Sequence, residues 1–345
     1  MITKSNTSVC AFTQRICSIN VLNLSKDFKT PAGDNFGAHS FVIDVKNTAT
    51  LYLGTSAQGI FKTADCGATW VHVNTGRNGD KLDSGRQWTF LVDPIDPDVL
   101  YTNSGYSQNN VWRSMNGGVD WDPLVPEDYL KVMQFGGFVH LIAMDPTNHQ
   151  HLIVSPHFAC EVGAFNGLPK TSSCILETTD AGVTWKILEG TPGGVEGGGP
   201  WMDDSNTWYW SRSSEGLWRT ANAGLSWEHV YAGGYASIGD VKLSNGKRYC
   251  GGVFSMLESS DGGASWTTIP NSPGAQFVAG DGDRLFSARD IYFNTASVND
   301  PSTWTSLPSL PVPKETNTWD IKYDPDHHIL YSVDNTAGFW RMVIE

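Results

Sequence analysis

The sequence is poor in charged residues, and above all in basic ones. Charged residues make up 17% of the 345 positions, and 23 Lys and Arg stand against 36 Asp and Glu, for a net charge of -13. A field of this sign repels phosphate backbones and anionic lipid surfaces. Nucleic acid and membranes are therefore not expected as partners, and a monomer is expected.

Long apolar runs are also missing. No segment approaches the roughly 18 consecutive apolar residues that span a bilayer, and the first 20 residues lack the apolar core of a secretory signal. The sequence is consistent either with a cytosolic protein or with a mature secreted form that carries an added Met and whose signal peptide is absent.

The six cysteines show neither a CxxC pair nor a zinc-binding spacing. Two pairs lie close enough in sequence to bridge, Cys10 with Cys17 and Cys160 with Cys174, although a free buried pair remains the alternative for the second. Cys66 and Cys250 are expected to be unpaired. Low charge, abundant Trp and local cysteine pairs together favour an extracellular protein.

What the sequence does contain is aromatic and apolar material, with 14 Trp, 36 Gly and 40% hydrophobic residues. This excludes a disordered chain. It also contains a repeat of the form Ser/Thr-x-Asp/Asn-x-Gly-x-x-Trp. We expect a tight loop in which Asp or Asn caps backbone N–H groups and Gly takes a positive φ. The five octets are TADCGATW from Thr63, SMNGGVDW from Ser114, TTDAGVTW from Thr178, TANAGLSW from Thr220 and SSDGGASW from Ser259.

Short strands precede each octet, and two further units without a good octet complete a series of seven, at about 49 residues each. The pattern predicts an all-β, seven-bladed β-propeller over residues 1–345 as a single domain. Residues 18–24 are expected to supply the strand that completes the last blade. The predicted blades are residues 39–75, 86–125, 138–190, 199–232, 236–270, 276–308 and 317–345.

The octets match the Asp-box, or BNR, motif, and the chain resembles the Asp-box propeller superfamily, which includes sialidases, xyloglucan-active hydrolases, polysaccharide lyases and the sortilin ectodomain. Longer phrases such as AMDPTNHQHLIVSPHF are similar to secreted microbial glycosyl-hydrolase-like proteins. The resemblance implies the fold and, by association, a glycan substrate. A sialidase is disfavoured, because the early Arg15 is followed by Ile-Cys and no Arg-Ile-Pro signature occurs.

Functional sites of propellers lie at a mouth formed by the loops that precede each innermost strand and those that join the second and third strands. His140 and Trp319 fall in such loops. The third unit is the longest, and its excess lies in the loop around Glu161. From the remaining mouth positions, the predicted catalytic residues are His39, His157, Tyr235 and Glu196, and the predicted substrate-binding residues are Arg86, Gln87, Trp88, Tyr106, Arg212 and Arg289.

Two chemistries fit these residues. Arginines suit a carboxylate, so an acidic, uronate-containing oligo- or polysaccharide is the expected partner, cleaved by β-elimination with His or Tyr moving the proton. Hydrolysis needs two carboxyl groups instead, for which Glu196 is one candidate. A non-catalytic glycan- or protein-binding propeller is the alternative from another class. No cofactor or metal site is predicted, and a divalent cation stays an open alternative.

Overall fold

The computed structural model describes residues 21–23, 37–133, 139–157, 174–189, 192, 199–212, 215–234, 239–312, 318–334 and 338–344. Within these ranges the strands form seven four-stranded antiparallel sheets. The all-β, seven-bladed propeller predicted from the repeat is confirmed.

Each of the first six sheets takes four consecutive strands, so that sequence neighbours are also neighbours in the sheet. Sheets one to three contain β2 (Ala38–Ile43), β3 (Leu51–Thr55), β4 (Ile60–Thr63), β5 (Val71–His72), β6 (Phe90–Val92), β7 (Leu100–Asn103), β8 (Val111–Ser114), β9 (Asp122–Pro123), β10 (Val139–Asp145), β11 (Asn148–Pro156), β12 (Cys174–Thr178) and β13 (Lys186–Glu189).

Sheets four to six continue in the same order around the ring. They contain β14 (Pro200–Met202), β15 (Trp208–Arg212), β16 (Gly216–Thr220), β17 (Glu228–Tyr231), β18 (Val241–Lys242), β19 (Arg248–Cys250), β20 (Leu257–Ser259), β21 (Thr267–Thr268), β22 (Phe277–Gly280), β23 (Arg284–Arg289), β24 (Tyr292–Ser297) and β25 (Asp300–Ser306).

The seventh sheet contains strands that are distant in sequence. It contains β26 (Thr318–Asp324), β27 (Ile329–Asp334), β28 (Gly338–Val343) and, as its outermost strand, β1 (Val21–Asn23). Val21 pairs with Met342 and Asn23 with Trp340. The other positions of the predicted closing segment, 18–20 and 24, lie outside the described residues.

Two short helices in the described chain connect neighbouring sheets, α1 (Gly79–Leu82) and α2 (Glu127–Met133). Neither has the length or apolar character needed to cross a bilayer.

The five octets form one and the same turn between the third and fourth strands of their sheets. In the first, the Thr63 hydroxyl donates to the Asp65 carboxylate at 2.7 Å and accepts from the Gly67 N–H at 3.0 Å, while the Asp65 carboxylate accepts from the Thr69 N–H at 2.8 Å. The other four octets repeat all three hydrogen bonds. Each octet thus satisfies its own backbone donors.

The octet tryptophans close each sheet against the sheet before it. Trp121 is fully buried between the first and second sheets, beside Tyr52 and Phe90. Trp70, Trp185, Trp227 and Trp266 occupy the corresponding interfaces. These tryptophans therefore stabilise the ring through burial, which explains much of the unusual Trp content.

A second repeated turn, which the sequence analysis did not identify, joins the first and second strands of all seven sheets. In each, an Asp or Asn side chain accepts from the backbone N–H two residues later, at 2.7–3.0 Å. These residues are Asp44, Asp93, Asp145, Asp204, Asn245, Asp281 and Asp324. They share one end of the ring with the octets, which we call the turn face; the opposite end is the mouth.

Candidate functional site

The mouth opens into a central cavity of about 870 Å3. Its walls include the innermost strands β2, β6, β10 and β26 and the loops that precede them, together with loops between second and third strands. The volume is within the range of small-molecule and oligosaccharide sites.

Three of the innermost strands begin with the same irregularity. Ala38 pairs with Thr55 and Ser40 with Gly54, so that two residues along β2 correspond to one along β3. His39 is therefore the extra residue of a β-bulge. His140 and Trp319 occupy the same position in β10 and β26. Because a bulge re-aims its extra residue, these three side chains line the cavity.

The second sheet uses a different device. The backbone of Arg86 bridges Ser56 of the first sheet and Gly105 of the second. Between these anchors the side chain of Gln87 turns inward, where its amide oxygen accepts from the Thr55 N–H at 2.9 Å and its amide nitrogen donates to the Leu82 carbonyl at 2.9 Å.

Gln87 is fully buried and does not line the cavity. Its predicted role in substrate binding is therefore not supported by the geometry, and we assign it to the joint between two sheets. Its neighbours Arg86 and Trp88 do line the cavity.

Trp88 is the centre of a cluster of rings. Its ring centroid lies 4.3 Å from that of His39, 4.8 Å from His140, 5.7 Å from His157 and 5.1 Å from Trp319. The rings of His140 and His157 are perpendicular at 4.8 Å. Residues from the first, second, third and seventh sheets thus meet at one point, and three histidines border one cavity.

Burial sets the protonation of two of these histidines. Burial, and secondarily the Arg86 guanidinium, lowers the pKa of His39 to about 3. Burial, with the nearby His157 and His39, lowers the pKa of His140 well below its ordinary value. Both rings are neutral at neutral pH. His39 is consequently a weak base at neutral pH, and its catalytic role stays a prediction.

Tyr106 forms the rim of the mouth beside this cluster. Its side chain is 61% exposed, and the Arg86 guanidinium carbon lies 4.8 Å from the centre of its ring. The His157 ring centroid is 6.4 Å away. Tyr106 has a φ of 64°, a region that non-glycine residues occupy at a cost and that is frequent at functional sites.

Arg289 approaches the cavity from the opposite side, in the sixth sheet. It is exposed, and its guanidinium donates to the Val253 carbonyl at 2.6 Å. Val253, Gln276 and Phe277 line this side of the cavity. Arg86 and Arg289, both predicted to bind substrate, therefore border one space.

Other predicted site residues are not placed by the structure. Glu196 and Tyr235 lie outside the described residues, as do Glu161 and the rest of the long third loop. Arg212 ends β15, and only its backbone is described. Among the described residues that line the cavity, the one acid is Asp320, which forms an ion pair with Lys322.

His140 and Trp319 were not selected as site residues in the sequence analysis, although they fall in mouth loops. The signal that would have found them is their position. Each is the second residue of its innermost strand, as His39 is in β2.

The described chain contains one group with metal-binding spacing, Cys66 with Asp324 and His327. It lies at the turn face, and Cys66 is disulfide-bonded, so that its sulfur is not a thiolate ligand. The expectation that Cys66 is unpaired was wrong. Its place in an octet turn gives no local sign of a disulfide. Cys250 is a buried thiol outside any disulfide, as predicted.

Comparison with known proteins gives only distant similarity. No family model matches the chain. A curated xyloglucanase from Paenibacillus sp is 24% identical over 251 residues, which cover 59% of this chain and 22% of that protein. The chain thus spans less than a quarter of the length of this relative.

Solved structures show the same fold at low sequence identity. The GH74 enzyme of Niastella koreensis has a TM-score of 0.67 and 15% identity, covering 90% of this chain and 52% of that one. YCF48 bound to the D1 peptide has a TM-score of 0.63 and 12% identity, covering 96% and 99%. The likeness to these two structures establishes the propeller fold.

Proposed function

We propose that the protein is a carbohydrate-active enzyme that cleaves a polysaccharide at the mouth. The observation that carries this proposal is the convergence of Arg86, Tyr106, His157 and Trp88 on one open cavity. Aromatic rings stack on sugar faces, arginine forks bind carboxylates or hydroxyls, and a histidine transfers protons. The distant similarity to a xyloglucanase supports a polysaccharide substrate.

The described side chains favour β-elimination from a uronate. In that reaction a base takes the C5 proton, the C–H electron pair forms the C4=C5 double bond, and the glycosidic oxygen leaves C4 and takes up a proton. In this proposal His157 acts as the base and Tyr106 as the acid, and the 6.4 Å between their ring centroids supports the pairing. Arg86 would neutralise the uronate carboxylate, which acidifies the C5 proton.

Hydrolysis of a neutral, xyloglucan-like polysaccharide is the second candidate, favoured by the relative's activity. Its two carboxyl groups would be roughly 5 to 9 Å apart. Asp320 is the single acid in the described part of the cavity wall, and Glu196 would be required as its partner or replacement. We also propose that the protein is extracellular, which the disulfide at Cys66 supports. We assign its octets to the Asp-box type.

The test is a panel of acidic and neutral polysaccharides, followed by ultraviolet absorbance of the new double bond and by release of reducing ends. Elimination produces both signals, and hydrolysis produces reducing ends alone. We expect His157→Gln to lower kcat by about 10²- to 10⁴-fold. The matched control is His229→Gln, an exposed histidine in the outer strand β17. Full activity of His157→Gln would remove His157 from the mechanism.

A binding propeller is the remaining alternative, favoured by the similarity to peptide-bound YCF48 over nearly the whole of both chains. It predicts saturable glycan or peptide binding without product. Such a result with the whole panel would contradict the enzymatic proposal and favour the binder.

A further inference from the structure

The exposed apolar side chains differ between the two faces of the ring. Among described large hydrophobic residues that are exposed, the aromatic ones are Tyr106, Phe254 and Tyr292. Tyr106 and Phe254 lie between the second and third strands of their sheets, and Tyr292 begins the third strand β24, so all three are at the mouth end of the ring. Those of the turn-face loops are aliphatic or Met, and they are Val45, Ile95, Met115, Val119, Val183 and Leu225.

Exposed aliphatic and exposed aromatic side chains differ in what they can bind. Scattered aliphatic side chains on a surface need no special explanation. Large aromatic rings exposed to solvent at a cavity rim, by contrast, are flat apolar surfaces on which the apolar face of a pyranose ring can stack. Phe254 is 84% exposed, and it directly follows Val253, which lines the cavity.

The loop that carries Phe254 is held firmly. The Arg289 guanidinium donates to the Val253 carbonyl at 2.6 Å. A Cβ atom added to Gly274 would lie 2.2 Å from the same carbonyl oxygen, so the two segments are in close contact. A ring presented by a fixed loop loses little conformational entropy on binding.

The three rings belong to sheets on opposite sides of the closed ring. Tyr106 belongs to the second sheet, and Phe254 and Tyr292 belong to the fifth and sixth. In a closed ring of seven blades, three blades correspond to about 150° of arc. Tyr106 lines the cavity together with Trp88 and His157, and on the other side the cavity is lined by Val253, next to Phe254, and by Arg289, which pairs with Tyr292.

We propose that the mouth binds the interior of an extended glycan chain, with sugar rings stacked on Tyr106 at one end and on Phe254 and Tyr292 at the other. This inference rests on the proposed function and extends it to the substrate class. A chain held at both ends of the cavity is bound within its length, so cleavage occurs at internal linkages. Affinity therefore rises with chain length until both platforms are covered.

The experiment measures the affinity of the full chain for xyloglucan and for polygalacturonate, and for size-fractionated oligosaccharides of each, by titration calorimetry. We expect Phe254→Ala to weaken binding of the polymer that the wild type binds by about five- to tenfold. Binding of oligosaccharides too short to reach Phe254 is unchanged, and Phe254→Trp restores polymer binding. The matched control is Leu225→Ala, which removes an equally exposed side chain, 83% exposed, from the turn face.

The outcomes separate this inference from the proposed function. If the wild type binds neither polymer, both are overturned. If it binds or cleaves a polymer and the folded double variant Phe254→Ala/Tyr292→Ala has wild-type affinity at every chain length, the two-platform inference is overturned and the proposed function stands. Release of single terminal sugars as the first product would also overturn it.

Discussion

On the turn face, five octets in five different sheets form the same hydrogen bonds, whereas at the mouth the equivalent positions carry different side chains. His39, His140 and Trp319 share one backbone position, the extra residue of a bulge, where two sheets carry an imidazole and one carries an indole. Repetition of side chains therefore marks residues that build the ring. Where the backbone geometry recurs from sheet to sheet but the side chain changes, the residue is available for function.

The two faces also treat polar groups differently. Asp180 in the third octet accepts hydrogen bonds from the hydroxyls of Thr178 and Thr184 and from backbone N–H groups, which lowers the pKa of its carboxyl to about 2. At the mouth, burial lowers the pKa of His39 and leaves its ring neutral. Local donors therefore stabilise the charged form of Asp180, whereas desolvation favours the neutral form of His39.

The sharpest test of this comparison replaces one tryptophan on each face by alanine. Trp121 is fully buried between two sheets, so Trp121→Ala should lower the free energy of unfolding by about 3–5 kcal/mol. Trp88 is only partly buried, so Trp88→Ala should cost less stability and abolish glycan binding. Denaturant titration and calorimetry measure the two effects. A larger stability loss for Trp88→Ala, with intact binding, would contradict the division.

The pH dependence of stability provides the second test. The folded-state pKa of His39 is about 3, below its ordinary 6.5, so the unfolded chain takes up the proton first as the pH falls. The stabilising contribution is complete above about pH 6.5 and is lost as the pH falls towards 3, by on the order of 4 kcal/mol. His140 acts in the same direction.

His39→Gln should therefore flatten the decline in stability between about pH 7 and pH 4, measured as the urea midpoint at each pH. His229→Gln, a substitution in an exposed outer strand, is the control and should follow the wild type. An unaltered slope for His39→Gln would show that His39 does not titrate as its burial requires.

A third test compares a glycine of an octet, Gly182, with Gly246 of the second repeated turn. Gly182 has a φ of +90°, and a Cβ atom there would lie 2.4 Å from Cγ of Leu124. Gly246 has a φ of +86° with no atom within 4 Å of such a Cβ. Gly246→Ala should cost about 1–2 kcal/mol from backbone conformation alone, and Gly182→Ala should cost more because it adds a clash. Equal losses of stability for the two variants in melting experiments would show that close packing at the octet glycine does not contribute.

The smallest expected effect concerns Asp334, which supports the bulge at Trp319. Asp334 accepts hydrogen bonds from the Thr318 and Ser332 hydroxyls, and burial raises the pKa of its carboxyl to about 7. Its stabilising contribution is present below about pH 4 and is lost as the pH rises through 7, opposite in sign to His39.

Asp334→Asn keeps the group neutral. We expect the variant to gain about 1 kcal/mol over the wild type between about pH 6 and pH 8. The measurement is the difference in urea midpoint at the two pH values. A difference that stays constant with pH would show that the Asp334 carboxyl does not ionise in this range.

Much of the mouth could be predicted from sequence because the propeller topology fixes which loops face it. His157, Arg86, Trp88, Tyr106 and Arg289 were all selected on that basis, and all line the cavity. Gln87 was selected with its neighbours Arg86 and Trp88. Because successive side chains of an extended segment point to opposite sides of the backbone, its side chain points away from the cavity. Phe254 was not selected, because nothing in its local sequence distinguishes an exposed ring from a buried one.

The sequence by itself determined the number of blades, the octet turns and the place of the tryptophans, since these depend on contacts within a few residues and recur with the repeat. Only the tertiary structure decided which rings surround Trp88, the neutral state of His39 and the disulfide at Cys66. Those properties arise when ring closure brings the first, second, third and seventh sheets together, and desolvation depends on neighbours that are distant in sequence.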